Sequence, residues 1–159
     1  MDEKTKGVMF SSKSNDWATP QHFFDQLQEQ FGVFTLDPCS NSSNYKVKNH
    51  FTEKDDGLSQ DWSGHNVFMN PPYGRAIKDW LKKAYEESQA DGTTVIALIP
   101  ARTDTRYWHD YVMKGEAIYF VKGRLKFGNG ENSAPFPSAV VVFKKNLYNF
   151  PRIGVIHIR

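Results

Sequence analysis

Residues 93–100, Thr-Thr-Val-Ile-Ala-Leu-Ile-Pro, form a nearly continuous apolar run. A strand with one wet face alternates polar and apolar side chains, whereas a strand covered on both faces does not. The run therefore predicts a central strand between two covering layers. Before it, Ile77, Trp80, Leu81, Ala84 and Tyr85 fall on one helical face, while Lys78, Lys82, Lys83, Glu86 and Glu87 lie off it. That is the pattern of a helix packed on a sheet, ended here by Asp91-Gly92. Earlier still, Thr19-Pro20 reads as a helix cap with proline in the first turn. Phe24, Leu27 and Phe31 then recur at three and four residues, and Gly32 stops the helix. Strands are expected over 33–37, 66–69, 117–121, 138–143 and 153–158, with a short helix over 107–113 and a Ser- and Asn-rich loop over 38–49. Strand, helix, strand, helix and a closing strand pair describe an α/β sheet.

The chain of 159 residues fits one ordinary domain. Residues 1–16 are polar and expected as a mobile arm, leaving 17–159 as the folded unit. Lys plus Arg number 20 against 18 Asp plus Glu, so the net charge is only +2, which excludes nucleic-acid binding driven by a basic tail. Any anionic partner must meet a local basic surface. The single Cys39 forbids an internal disulfide, and no run approaches the roughly 18 apolar residues of a membrane helix. Residues 1–7 are charged and carry no apolar signal core. A soluble, reducing, cytoplasmic setting is expected, without membrane attachment. His22, His50, His65, His109 and His157 fall at no close ligand spacing with one another or with Cys39, so no metal site is expected.

The strand over 66–69 runs straight into Asn70-Pro71-Pro72-Tyr73-Gly74, where two prolines forbid continuation of a sheet or a helix. The tetrapeptide thus sits at the carboxyl end of a strand, where open α/β sheets hold their ligands. Asn-Pro and Pro-Pro are also common turn dipeptides, and Tyr73 could simply cover the sheet edge. The functional reading has a definite chemical content. An amino nitrogen conjugated to a ring is a poor nucleophile because its lone pair is delocalised. The amide oxygen of Asn70 and the carbonyl of Pro71 could each accept one N–H of such a group and aim its lone pair at an electrophile. Proline would hold that carbonyl rigid, and Tyr73 would offer a flat face on which the ring could stack, worth about 1–3 kcal/mol for an unpaired base.

Six segments in order carry a resemblance: Trp17-Ala18-Thr19-Pro20, Leu36-Asp37-Pro38-Cys39, Asp55-Asp56-Gly57-Leu58 with Trp62, Asn70-Pro71-Pro72-Tyr73, residues 100–105 (Pro-Ala-Arg-Thr-Asp-Thr), and Gly123-Arg124-Leu125-Lys126-Phe127. Together they resemble the DNA N6-adenine methyltransferases that use S-adenosylmethionine (AdoMet), in particular the compact phage Dam-like branch, from about Trp17 to Phe143. The resemblance implies a compact Rossmann-like sheet with helices on both faces. It implies that Asn70, Pro71, Pro72 and Tyr73 form the catalytic pocket, and that Trp17, Thr19, Pro20, Asp37, Cys39, Asp55, Asp56, Leu58 and Asn70 bind the cofactor. In that scheme Thr19-Pro20 holds the methionine carboxylate at a helix start, and Asp37 pairs with the methionine ammonium. Asp56 or Asp55 accepts from the adenine amino group, with Leu58 against the ring. The turn Asp37-Pro38-Cys39-Ser40 lacks the glycine usual after the first strand of wider methyltransferases, and only 17 residues separate Asp37 from Asp55, too few for the usual strand and helix carrying a ribose-binding acid. Asn41, Ser42 and Asn44 are the polar residues available in its place.

The implied partner is double-stranded DNA, with the oligomeric state open and a monomer as the expectation. Arg102 and Arg106 follow the central strand on the edge expected for Tyr73 and could reach phosphates or base edges, or form salt bridges to Asp104 or Asp110. Lys122, Arg124 and Lys126 alternate along an expected strand with Phe127 at its end, a placement for a basic strip and an aromatic beside an extruded base, or for the wet face of an edge strand. An adenine inside a duplex cannot reach the pocket, so extrusion at a cost of roughly a few kcal/mol is required. Two other readings stay open: the same tetrapeptide acting on RNA adenine or a protein glutamine, and an inactive DNA-binding module.

Overall fold

The computed structural model describes residues 17–128 and 132–159; the expected arm over 1–16 lies outside the described residues. The apolar run becomes β2 (Thr94–Pro100), paired in parallel with β1 (Asn66–Met69). The amphipathic segment between them forms α2 (Ile77–Glu87), as a parallel pair requires a crossover. β4 (Ser138–Phe143) runs antiparallel to both β2 and β3 (Ala117–Lys122), and β5 (Arg152–His157) pairs in parallel with β3. The sheet order is β1-β2-β4-β3-β5. β2 is interior, as its composition requires, but the middle position belongs to β4, all of whose residues are buried.

Alternation decides the layers. Phe68, Ile96, Leu98, Val140 and Val142 turn to one face, beneath Phe23, Phe24 and Leu27 of α1 (Gln21–Phe31). Val67, Met69, Val95, Ala97, Ile99, Val141 and Phe143 turn to the other, beneath Ile77, Leu81 and Ala84 of α2 and Trp108 of α3 (Arg106–Asp110). Helices therefore cover both faces of a mixed α/β sheet, consistent with the Rossmann-like class. Each fully buried side chain of this size favours folding by about 1.5–3 kcal/mol.

Four local expectations are corrected. The segment 33–37 is not a strand: only Leu36 and Asp37 bridge, to Val67 and His50. At one end Val33 stands 74% exposed, and at the other Pro38 has no N–H with which to extend the ladder. Thr19 does not cap α1; the cap position is Pro20, which has no side-chain bond, and the Thr19 hydroxyl is engaged elsewhere. The helix expected over 107–113 begins at Arg106 and gives way after Asp110 to a 3-10 turn over Val112–Lys114. Of the basic strip only Lys122 is on a strand, since β3 ends there and Gly123 takes φ 95°, a left-handed conformation that breaks the ladder before Arg124 and Lys126. Among the described residues no helix is long and apolar enough to cross a membrane.

Candidate active site

Where β1 stops, the chain does turn at the two prolines, and Asn70 is locked by three hydrogen bonds. Its Nδ2 donates to the Trp17 carbonyl at 2.7 Å and to Thr19 Oγ1 at 3.0 Å, while its Oδ1 accepts from the Tyr73 hydroxyl at 2.8 Å. A carbonyl can only accept, so the Trp17 oxygen fixes which end of the amide is nitrogen. The consequence is that both amide hydrogens are spent on the protein, and Oδ1 keeps one of its two acceptor sites. Among the described residues no donor bonds to the Pro71 carbonyl. Trp17 and Thr19 thereby hold Asn70 in place, which explains why the Thr19 hydroxyl leaves the helix start.

Tyr73 is half-buried, with its hydroxyl turned inward, and burial pushes the pKa of that hydroxyl up. Its ring packs tilted to Trp17 at 6.2 Å and edge-on to Phe127 and Phe136 at 6.4 and 5.5 Å. The aromatic tetrad is closed by Trp17 against Phe127 and Phe136 at 5.6 and 5.0 Å.

Asn70, Pro71, Pro72 and Tyr73 line a cleft of about 600 Å³, together with Trp17, Thr19, Asp37, Cys39 and Asp56. That volume falls in the range of small-molecule sites, about 300–1,000 Å³. Asp37 is the buried acid of the cleft. Its Oδ2 accepts from the Lys46 N–H at 3.0 Å and its Oδ1 from the Cys39 N–H at 3.4 Å. Burial pushes its carboxyl up to about 6 despite these bonds. A carboxylate so poorly compensated fits a cationic ligand group. Burial, reinforced by Asp37, also pushes the Cys39 thiol up, so it stays a neutral wall residue.

Asp56 and Asp55 separate clearly. Asp56 lines the cleft, at φ 52°. Asp55 turns away, its Oδ2 accepting from Thr52 N–H at 2.8 Å and Thr52 Oγ1 at 3.1 Å, which hold its carboxyl below the usual range. Pro20 and Leu58 are not on the cleft wall, whereas Asn41 and Asn44 are and Ser42 is not. The glycine between Asp56 and Leu58 is required: a Cβ on Gly57 would stand 2.1 Å from the Pro38 carbonyl.

The cleft also holds residues that sequence reasoning missed. Lys46 reaches Gln21 Oε1 at 3.2 Å, and desolvation, partly offset by Asp37, lowers its pKa. Phe51 and Trp80 supply apolar wall. Lys46 and Phe51 lie in a stretch without periodicity, so nothing marked them. Trp80 was visible only as part of a helix face; it stacks on Trp62 at 6.2 Å and reaches the cleft from there.

Of the expected DNA-contacting residues, Phe127 belongs to the tetrad and Arg102 lies against it. The Arg102 guanidinium lies 5.8 Å from the Phe136 ring. Arg106 opens α3 and is exposed, and no ion pair joins it or Arg102 to another described residue. Arg124 donates to the Ala134 carbonyl, and Lys126 is exposed beside it. Phe127 is 4% exposed inside the tetrad, and the neighbouring Gly128 N–H bonds to the Ala18 carbonyl.

Two comparisons bear on this arrangement. A family model described as DNA N-6-adenine-methyltransferase (Dam) matches residues 7–155. A DNA N-6-adenine-methyltransferase of Haemophilus phage HP1 (strain HP1c1) is 32% identical over 130 residues, covering 80% of this chain and 74% of the relative. YfdM of Escherichia coli (strain K12), provisionally named a methyltransferase, is 34% identical over 65 residues, 37% of this chain and 71% of the relative. With a match spanning nearly its whole length, and a cleft built around Asn70-Pro71-Pro72-Tyr73, the chain belongs to the DNA N-6-adenine-methyltransferase (Dam) family.

Proposed function

We propose that this adenine-specific DNA methyltransferase draws its methyl group from AdoMet and acts on N6 of an adenine turned out of double-stranded DNA into the cleft beside Asn70. The observation that carries the reading is the locked Asn70 amide, whose nitrogen is consumed by Trp17 and Thr19. Its oxygen is left as an oriented acceptor next to the Pro71 carbonyl. A side-chain amide oxygen fixed by hydrogen bonds, with one acceptor site left beside the Tyr73 hydroxyl, and a proline carbonyl suit the two hydrogens of an aromatic amine and would cost little reorganisation when the reaction occurs. As the methyl group passes to N6 and its bond to the donor sulfur breaks, leaving a neutral thioether, the nitrogen would gain positive charge, which both oxygens would stabilise more strongly than the neutral amine until one N–H proton is lost to solvent.

Asp37, buried and short of compensating charge, would hold the ammonium of the AdoMet methionine, and the cleft walls from Asp56 and Phe51 would hold its adenosine end. When bound, AdoMet supplies a sulfonium-activated methyl group, so no metal is called upon. Asn41 and Asn44 are the polar groups offered to the ribose. Tyr73 and Trp17, both partly exposed on the cleft wall, would provide the apolar surface against which an extruded base lies, backed by the buried Phe127 and Phe136, and the Arg102 guanidinium over Phe136 would meet the strand turned toward it. Arg106, Arg124 and Lys126 would meet the phosphates. The enzyme would work on DNA in the host cytoplasm.

The test compares wild type and Asn70→Ala for methyl transfer to duplex DNA and for AdoMet binding. Turnover falls by roughly 100-fold or more, the usual loss for one oriented acceptor or donor, while AdoMet affinity changes far less. Equal turnover would refute the assignment. Label from AdoMet appearing in RNA or protein and not in DNA would favour the corresponding alternative substrate.

A further inference from the structure

The sheet edge farthest from the cleft carries apolar surface that the methyltransferase reaction does not use. Phe120, Ile153 and Val155 share one face of β3 and β5, with Phe120 registered beside Val155, and Leu147, Tyr148 and Phe150 stand out from the loop leading into β5. These six are 38–91% exposed. From the area such side chains present when bare, they offer on the order of 800 Å², which matches one partner's share of a stable interface.

We infer that this edge is a two-fold interface between two copies of the chain, made by antiparallel pairing of β5 with β5. The ladder geometry selects the occupant. The Arg152 N–H bonds to the Glu116 carbonyl just before β3, so residues 152, 154 and 156 direct their backbone groups inward and residues 153 and 155 direct theirs to the edge that no other described strand pairs. An antiparallel copy centred on Gly154 sets Ile153 opposite Val155 of its mate, twice. Both outward pairs then exchange their hydrogen bonds, and the apolar side chains of both copies meet on the same face. At the next outward pair Pro151 would face His157. Pro151 has no N–H to give, and the His157 carbonyl already accepts from Gln26 Nε2 at 2.5 Å, so no carbonyl is stranded. Gly154 tolerates the close approach at the axis, and it must be glycine in any case, because a Cβ there would stand 2.6 Å from the Tyr119 ring. Flanking charge does not oppose contact, since Arg152 is paired with Glu116 at 3.1 Å. The pair leaves both clefts open, because they lie at the β1 side of the sheet.

Sedimentation velocity of the full chain over a concentration series tests this. The expected species is twice 18.3 kDa, dissociating on dilution. Ile153→Lys and Val155→Lys, each at an already exposed position, raise the dissociation constant at least tenfold while thermal unfolding and methyl transfer per chain stay close to wild type. A wild-type chain that remains monomeric throughout the series overturns the inference, as does a dimer that survives both substitutions. A monomeric wild type overturns the inference even if a lysine variant fails to fold, and Ile153→Thr with Val155→Thr, which keep the β-branch, then serve as the second pair whose dissociation constant must rise; neither readout depends on the chemistry at Asn70.

Discussion

Replacing Asp37 with asparagine sets stability against cofactor binding at one atom. The folded-state carboxyl is pushed up to about 6 from an ordinary 3.8, by burial that outweighs the Lys46 and Cys39 N–H bonds. A pKa raised by folding contributes stability that is fully present below 3.8 and lost as the pH rises through 6. Two pKa units correspond to about 3 kcal/mol given up at pH 8. An asparagine side chain in this place would carry no such penalty, but it has one acceptor oxygen for two backbone donors, so it forfeits about 1 kcal/mol of hydrogen bonding. Asp37→Asn is therefore expected to be more stable than wild type by about 2 kcal/mol at pH 8, with the advantage shrinking by roughly 1.4 kcal/mol at pH 5. Urea unfolding at the two pH values measures both numbers. The same variant binds AdoMet at least tenfold more weakly at pH 8, because a carboxylate–ammonium pair is lost. Wild-type affinity weakens toward tenfold per unit as the pH falls below 6, whereas the variant's stays flat. A variant that is destabilised equally at both pH values, or that binds AdoMet with wild-type affinity and pH dependence, would refute the reasoning.

Thr19→Val removes one of two acceptors holding the Asn70 amide; kcat is expected to fall about tenfold with AdoMet affinity nearly unchanged, and Thr19→Ser to restore it, as steady-state kinetics would show. Tyr73→Ala should weaken productive binding of duplex DNA more than of single strands, because apolar contact offsets the cost of extrusion; equal losses would count against that step. Gly57→Ala forces a methyl group against the Pro38 carbonyl, and the expected cost of at least 1–3 kcal/mol would be read as a lower unfolding midpoint together with weakened AdoMet binding.

Much of the architecture could be read because burial leaves a pattern. The unbroken run of β2 and the spaced faces of α1 and α2 each report what covers them, and the paired prolines after β1 mark a forced turn. Some failures come from a tertiary partner overriding a local signal and others from a single backbone position, as at Gly123. Thr19-Pro20 has the composition of a helix cap, yet the Asn70 amide, distant in sequence, takes the hydroxyl. Residues 33–37 look like a strand, but only Leu36 and Asp37 find bridge partners before Pro38, which has no N–H to extend the pairing. Alternation at Arg124, Leu125, Lys126 and Phe127 reports burial correctly, with Leu125 and Phe127 inside and both basic residues out, although the backbone carrying them is irregular. At the cleft, Asp37 and Asp56 stood in recognisable tetrapeptides. Lys46 and Phe51 come from a loop whose shape depends on side-chain bonds such as Asn41 Oδ1 accepting from the Ser43 and Asn44 N–H groups. Spacing along the chain does not encode that shape.

The most direct measurement is mass spectrometry of nucleosides from duplex DNA incubated with the purified chain and isotope-labelled AdoMet. The account predicts label in N6-methyldeoxyadenosine with wild type and almost none with Asn70→Ala. Label on cytosine, or an Asn70→Ala yield equal to that of wild type, would contradict it.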